Sequence, residues 1–128
     1  MRIASAIFLA FAFAGATSIA QAADHRPIGK TTTIPFAAGG GLRNWQVGAP
    51  GTNIVYVQDR RSQWYRVQLT GPCAESGDPG TLTYTTDTNG TFDRFSHVSA
   101  PRTSPDGSCG VVSIESSLPP RGQPGHKP

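Results

Sequence analysis

The sequence predicts a mainly β fold: one small domain of about six short strands, arranged as an antiparallel sandwich or a partly open barrel and held by one disulfide. Short runs of β-branched and aromatic residues alternate with turn residues in a chain of 128 residues that contains 15 Gly and 11 Pro. After the apolar N-terminus, no stretch keeps a helical apolar period over about ten residues. The chain carries only two cysteines, Cys73 and Cys109.

The N-terminus predicts a signal peptide over residues 1–22, with cleavage before Ala23. Arg2 precedes an uncharged apolar run over residues 3–14, and Ala20-Gln21-Ala22 is a small-x-small cleavage pattern. The alternative is a membrane anchor, but the apolar run is shorter than the roughly 20 residues that span a bilayer. We therefore expect a periplasmic or secreted protein without a transmembrane anchor.

Export determines how the two cysteines are interpreted, because disulfides form and persist in oxidising compartments. We expect Cys73 and Cys109 to form a structural disulfide, which would stabilise so small a domain by about 4 kcal/mol through the reduced entropy of the unfolded chain. The alternative is a reactive thiol. Neither residue has a CxxC partner, however, and no His lies near Cys109 in the sequence.

The exported part divides by composition into three segments. Residues 23–33 are polar and are expected to form a flexible lead-in, and residues 34–117 form the β domain. Residues 118–128 are rich in Pro and Gly and can bury little apolar surface, so we expect a disordered tail.

Within the domain, alternating apolar patterns bounded by turn residues predict the strands. The predicted strands are residues 42–47, 54–57, 64–69, 81–85, 92–99 and 110–115. Asp59–Ser62 provides the turn of a hairpin, and Gly71-Pro72 ends the second strand of that hairpin. Asp87–Gly90 supplies a further turn, and residues 101–108 form a loop.

Several short motifs follow one another in a distinctive order. They are Ile34-Pro35-Phe36, Gly41-Leu42-Arg43-Asn44-Trp45, Tyr56-Val57-Gln58-Asp59-Arg60, Gln63-Trp64-Tyr65, Gly71-Pro72-Cys73 and Phe92-Asp93-Arg94-Phe95-Ser96, followed by Cys109. This order resembles the DUF6491 family of exported bacterial proteins, over residues 34–115. The resemblance implies a location in the bacterial envelope and supplies no activity, substrate or catalytic residue.

Two positions depart from the family pattern. Ser62 stands where family members often have Gly, which implies either a strained left-handed backbone in the hairpin turn or a different turn. The segment Ala74–Gly80 is shorter than its counterpart, so we expect a helix of the relatives to be absent here.

The candidate binding surface combines tryptophans with arginines. The binding candidates are Arg43, Trp45, Trp64 and Arg66, with Arg60 and Arg61 in the hairpin turn. If Tyr65 and its alternate neighbours face the core, Trp64 and Arg66 lie on the other face, where they suit stacking on a sugar ring, an aromatic ligand or a partner side chain. The alternative is that Trp64 packs into a second core layer and the arginine stems cover apolar surface.

Catalytic signals are weaker than binding signals. Asp93 and His97 fall on one predicted strand, too far apart for a direct contact. With Asp59 and Arg94, they are the only polar cluster on which an enzyme hypothesis can rest. No GxSxG, SxxK or HExxH motif occurs, so we expect no metal site and no cofactor.

These observations predict a small exported β domain that acts, as a monomer, as a binding or accessory module of the cell envelope. The expected partner is an envelope protein or a cell-wall component. Nucleic acid is not expected, because the formal net charge of +3 is small and export separates the protein from cytoplasmic nucleic acid. Two alternatives stay open: a small enzyme of unrecognised type that uses Asp93, Arg94 and His97, and a passive envelope or stress-related protein without a ligand.

Overall fold

The computed structural model describes residues 25–74, 82–99 and 108–126. The predicted signal peptide and its cleavage site at Ala23, the segment 75–80 and the loop at 101–107 lie outside the described residues. No helix occurs in the described ranges, and thus none that could span a membrane.

In the described residues, six antiparallel strands form one sheet in the order β1-β2-β3-β6-β5-β4, curled into a half-barrel. The strands are β1 (Asn44–Val47), β2 (Ile54–Gln58), β3 (Trp64–Leu69), β4 (Thr83–Tyr84), β5 (His97–Ser99) and β6 (Cys109–Ser117). The predicted fold class is therefore confirmed, and of the two predicted arrangements the partly open barrel is the one observed.

The β2–β3 hairpin closes through the Asp59 carboxylate. Its Oδ1 accepts hydrogen bonds from the backbone N–H groups of Arg61 and Gln63, both at 2.9 Å. Ser62 adopts a φ of 63°, a left-handed conformation that glycine tolerates better. Of the two alternatives for Ser62, the structure therefore shows the strained turn.

The strand predicted over residues 92–99 is shorter than expected, because a side-chain-capped turn occupies its first half. Asp93 Oδ1 accepts the Phe95 N–H at 2.9 Å, and the Ser96 N–H donates to the Asp93 carbonyl at 3.0 Å. These local bonds replace the ladder bonds of a strand, so β5 begins only at His97.

The core lies on the concave face of the half-barrel, where the inward residues of β2, β3 and β6 meet. Val55, Val67 and Ile114 lie side by side in the strand register and are each at most 2% exposed. Phe92, fully buried, joins the same cluster. Such tight burial follows from the period-2 alternation of the central strands.

The disulfide between Cys73 and Cys109 forms as predicted. Its Cα atoms are 5.8 Å apart, and it links residues separated by 36 positions in sequence. Because Cys73 follows β3 and Cys109 begins β6, the bond fixes the two most extensively paired strands at one end of the sheet.

The residues expected to form a flexible lead-in extend the sheet. The N–H groups of Gly29 and Thr32 donate to the carbonyls of Ser116 and Ile114, at 2.8 and 2.9 Å. The physical reason is an open edge: β5 pairs only with the first two residues of the nine-residue β6, and the N-terminal segment takes the rest.

The tail expected to be disordered also lies against the sheet over residues 118–126. The amide of Gln46 donates to the Arg121 carbonyl at 2.8 Å, and Gln123 donates to Gln46 Oε1 at 2.9 Å. Pro120 is buried. Side-chain amides of β1 thus hold a segment that has no strand pattern of its own.

Candidate functional site

The four binding candidates from the sequence do not form one site. Trp45 pairs with Val57 and packs against the core, whereas Trp64 pairs with Gln58 on the opposite, convex face. Arg66 lies near Glu115, with 3.8 Å between Arg66 Nη1 and Glu115 Oε2. Arg43 is exposed at the start of β1. The two tryptophans therefore lie on opposite sides of the sheet.

Trp64 is also not available for stacking: of the two alternatives for this residue, a packed side chain is the one observed. Its side chain is only 3% exposed. It shares a cross-strand row with Gln58 and Asn44, and the Asn44 amide contacts Gln123 of the C-terminal segment at 3.5 Å. The C-terminal segment therefore lies against the convex face at β1.

Two of the three residues of the enzyme alternative, Asp93 and Arg94, make local side-chain contacts. The Asp93 carboxylate caps its own turn, and the Arg94 guanidinium lies 4.9 Å from the centre of the Phe95 ring. His97 is exposed on β5. Across the described ranges, no three His, Cys, Asp or Glu side chains come together in a way that could hold a metal ion.

A different site lies between the N-terminal segment and the β2–β3 turn. It is an open groove with a volume of about 430 Å³. Its walls are formed by Arg26, Pro27, Lys30, Thr31, Thr32, Thr33, Pro35, Arg61, Gln63, Tyr65 and Ser116. Among the described residues, three cations and no carboxylate line it, so we call it the basic groove.

Each cation of the basic groove is positioned by a different element. Arg26 Nη2 donates to the Trp64 carbonyl at 3.1 Å, and its guanidinium lies 4.7 Å from the centre of the Tyr65 ring. Lys30 is exposed, while its backbone carbonyl accepts the Ser116 N–H at 3.0 Å. Arg61 extends from the hairpin turn with 65% of its side chain exposed. Arg26 is thus fixed in place, and Lys30 and Arg61 can reach a ligand.

One carboxylate lies beneath the groove wall, and its hydrogen-bonding capacity is already used. Asp59 is 4% exposed and accepts the Tyr65 hydroxyl at 3.0 Å, in addition to its two backbone bonds. Burial, together with the adjacent Asp59 charge, raises the pKa of Tyr65. Tyr65 therefore stays neutral and donates its proton to Asp59 rather than to a ligand.

The threonines add hydroxyl groups between the cations. Thr31 and Thr33 are exposed, and Thr32 Oγ1 donates to the Thr33 carbonyl at 3.2 Å. Hydroxyls can both donate to and accept from a ligand, whereas the cations only donate. The basic groove thus suits a ligand that carries negative charge together with hydroxyl groups.

Sequence reasoning missed this site because it placed Arg26, Lys30 and the threonines in an unstructured lead-in. One signal was present: Thr31–Thr33 is a run of β-branched residues, which favours an extended strand. The pairing partner is about two thirds of the chain length away in sequence, however, since Thr31 bridges to Glu115.

Comparison with protein families, with curated proteins and with solved structures gives no match to this chain. The geometry of the described residues therefore carries the functional argument.

Proposed function

We propose that this protein is an exported binding module of the cell envelope that holds an anionic ligand in the basic groove. The observation that carries the proposal is the lining of the groove: Arg26, Lys30 and Arg61 converge there, with threonine hydroxyls between them and no carboxylate among the lining residues. Hydrogen bonds from cationic donors to an anion are roughly twice as strong as neutral ones.

The charge distribution supports an anion rather than a neutral ligand. The buried Asp59 carboxylate offsets part of the positive charge of the groove. This carboxylate is already engaged, since Arg61 Nε lies 3.9 Å from its Oδ2 and the Tyr65 hydroxyl donates to it. Lys30 and Arg61 are exposed, so a ligand can replace water on them. Because the groove is open, we expect the binding to weaken markedly with salt.

Export is part of the proposal and is supported by two features. The N-terminus has the pattern of a signal peptide, and the Cys73–Cys109 disulfide is typical of oxidising compartments. The resemblance to the DUF6491 family, which remains a prediction, agrees with a bacterial envelope. In this proposal the ligand still comes from the envelope or the cell wall, but its binding site is the basic groove rather than the surface around Trp64.

The test is a titration of the oxidised protein with two acidic probes, tetragalacturonate and hexaglutamate, followed by backbone amide NMR. We expect shifts at Lys30, Thr32 and Arg61. The variant Lys30→Gln/Arg61→Gln should bind at least about tenfold more weakly, which corresponds to about 1.4 kcal/mol.

The matched control is Arg43→Gln/Arg66→Gln, which removes the same charge at the surface predicted first. The control should bind as the native protein does. If both variants lose affinity equally, attraction is only to net charge and the groove is not the site. If the native protein binds neither probe, the passive alternative without a ligand replaces this proposal.

A further inference from the structure

Phe36 has an unusual backbone and an unusual exposure at the same time. Its φ is 57°, in the left-handed region that bulky residues rarely adopt. Its side chain is 74% exposed, so the ring gains little from burial. A bulky residue in this conformation is strained, and strain that persists without packing in return is concentrated at functional positions.

The surrounding structure imposes this conformation. Arg60 Nε donates to the Phe36 carbonyl at 3.2 Å, and Arg60 Nη2 donates to the Ala38 carbonyl at 3.0 Å. On the other side, the Ala37 N–H donates to the Gly90 carbonyl at 2.8 Å. Gly41 packs so closely that a Cβ there would lie 2.0 Å from the Phe36 carbonyl oxygen. The ring is therefore displayed from a fixed backbone.

Phe36 is also next to the basic groove. Pro35, its neighbour in sequence, lines the groove, and consecutive Cα atoms are only about 3.8 Å apart. The arginine that binds the Phe36 carbonyl, Arg60, directly precedes Arg61 of the groove wall. The backbone of an exposed aromatic residue is thus joined directly to a groove that carries cations and hydroxyls.

We infer that Phe36 is a stacking platform for a sugar ring, and that the ligand of the basic groove is an acidic polysaccharide. The inference rests on the proposed function of the groove. A uronic acid unit has three features that match it: a carboxylate for Lys30 and Arg61, hydroxyls for the threonines, and an apolar C–H face for the aromatic ring. The electron-rich face of an aromatic ring attracts polarised C–H groups.

Other anions use fewer of these features. An acidic peptide requires the cations but neither a flat apolar platform nor hydroxyl partners. A single-stranded nucleic acid stacks its bases on aromatic rings over a basic channel, but export separates the protein from cytoplasmic nucleic acid. The acidic polysaccharide is the class that uses cations, hydroxyls and ring together.

The test measures affinity by calorimetry for tetragalacturonate, hexaglutamate and a short oligothymidylate, with Phe36→Asn as the main variant. Asn tolerates a positive φ, so this change removes the ring and keeps the backbone. We expect about a tenfold loss of tetragalacturonate affinity, a size typical of losing one aromatic binding contact. Hexaglutamate affinity should be unchanged, and the thermal midpoint should not fall.

Two further variants define the role of the ring. Phe36→Trp keeps an aromatic platform and should retain tetragalacturonate binding. Phe95→Asn removes a ring of similar exposure, 73%, from the turn before β5 and should have no effect. If Phe95→Asn weakens binding as much as Phe36→Asn, the platform is not Phe36 and the inference is overturned.

The outcomes separate this inference from the proposed function. Equal tetragalacturonate affinity in Phe36→Asn, with loss in Lys30→Gln/Arg61→Gln, overturns the platform and leaves the groove. Equal loss of tetragalacturonate and hexaglutamate in Phe36→Asn shows a merely structural role and also overturns it. Tighter binding of oligothymidylate than of tetragalacturonate overturns the ligand class. Failure of all three probes to bind the native protein removes the proposed function itself.

Discussion

Neither terminal segment of the domain has an apolar pattern of its own, and the two differ in how they lie on the sheet. Residues 25–33 pair with β6 through backbone hydrogen bonds, as an additional short strand does. Residues 118–126 are held on the convex face mainly through the side-chain amides of Asn44, Gln46 and Gln123. The N-terminal segment leaves an open groove beside it, whereas the C-terminal segment lies against the face of the sheet on which Trp64 is buried.

This difference shows that a segment without an apolar pattern can either line a binding groove or lie on a sheet face and reduce its exposure. Backbone pairing leaves side chains free to project, so Lys30 and the threonines remain accessible. Amide contacts across a sheet face instead bring the chain down onto that face. The first arrangement creates a binding surface, and the second removes one.

The largest expected effect comes from the disulfide, which fixes β6 and therefore supports the N-terminal segment. The variant Cys73→Ser/Cys109→Ser should lose about 4 kcal/mol of unfolding free energy, because its unfolded chain is no longer cross-linked. Urea unfolding of this variant and of the native protein measures the loss. An unchanged midpoint would mean that the bond contributes no stability, and that pairing on β6 is independent of it.

The next effect comes from removing the C-terminal segment. Truncation after Ser117 should expose Trp64 and lower stability by up to about 2 kcal/mol, since a large apolar side chain loses part of its burial. In a Trp45→Phe background, Trp64 is the only tryptophan, so its fluorescence maximum and its quenching by acrylamide report the change. An unshifted maximum would show that the strands alone bury Trp64. It would contradict the proposed difference between the two segments, in which the C-terminal segment covers a side chain.

A smaller effect tests the wall of the basic groove. Tyr65→Phe keeps the ring beneath Arg26 but removes the hydroxyl that donates to the buried Asp59 carboxylate. We expect a loss of about 1–2 kcal/mol, because a buried acceptor loses a hydrogen-bond partner. Thermal unfolding measures it, with Tyr56→Phe as the matched control on the convex face. An equal effect of the two changes would contradict the special role of the Asp59 contact.

The smallest effect is a pH dependence of that same contact. Because the pKa of Tyr65 is raised in the folded protein, its stabilising contribution is complete below about pH 10, the pKa of an unfolded tyrosine. Above that value the unfolded chain loses the proton first, so stability falls. The difference in unfolding free energy between native protein and Tyr65→Phe should therefore shrink as the pH rises past 10. A constant difference between pH 8 and 11 would contradict the assignment.

Much of the fold was predictable because it depends on local patterns. The β2–β3 hairpin follows from an alternating apolar pattern and from Asp59, whose short carboxylate caps a turn wherever one forms. The end of β3 near Gly71-Pro72 and the strand before Ser117 follow from the same kind of signal. The predicted start of β5 was wrong because Asp93 and Ser96 form a local turn that competes with a strand.

The candidate site was much less predictable than the fold. Whether Trp64 is exposed depends on the chain that covers it, and alternation along β3 reports only which face it occupies. The basic groove joins residues 26–35 to Arg61 and Ser116, which are distant in sequence. No spacing rule links such positions, so the sequence does not predict that these residues line one groove.

The sequence by itself determined the class of fold, the central hairpin and the pairing of the only two cysteines, because each follows from short-range pattern or from simple exclusion. The tertiary structure alone decided which tryptophan is buried, that Arg26, Lys30 and Arg61 share one groove, and that Phe36 is held exposed. The physical reason is the open edge of β6: which segment occupies an unpaired edge depends on the whole sheet rather than on the segment.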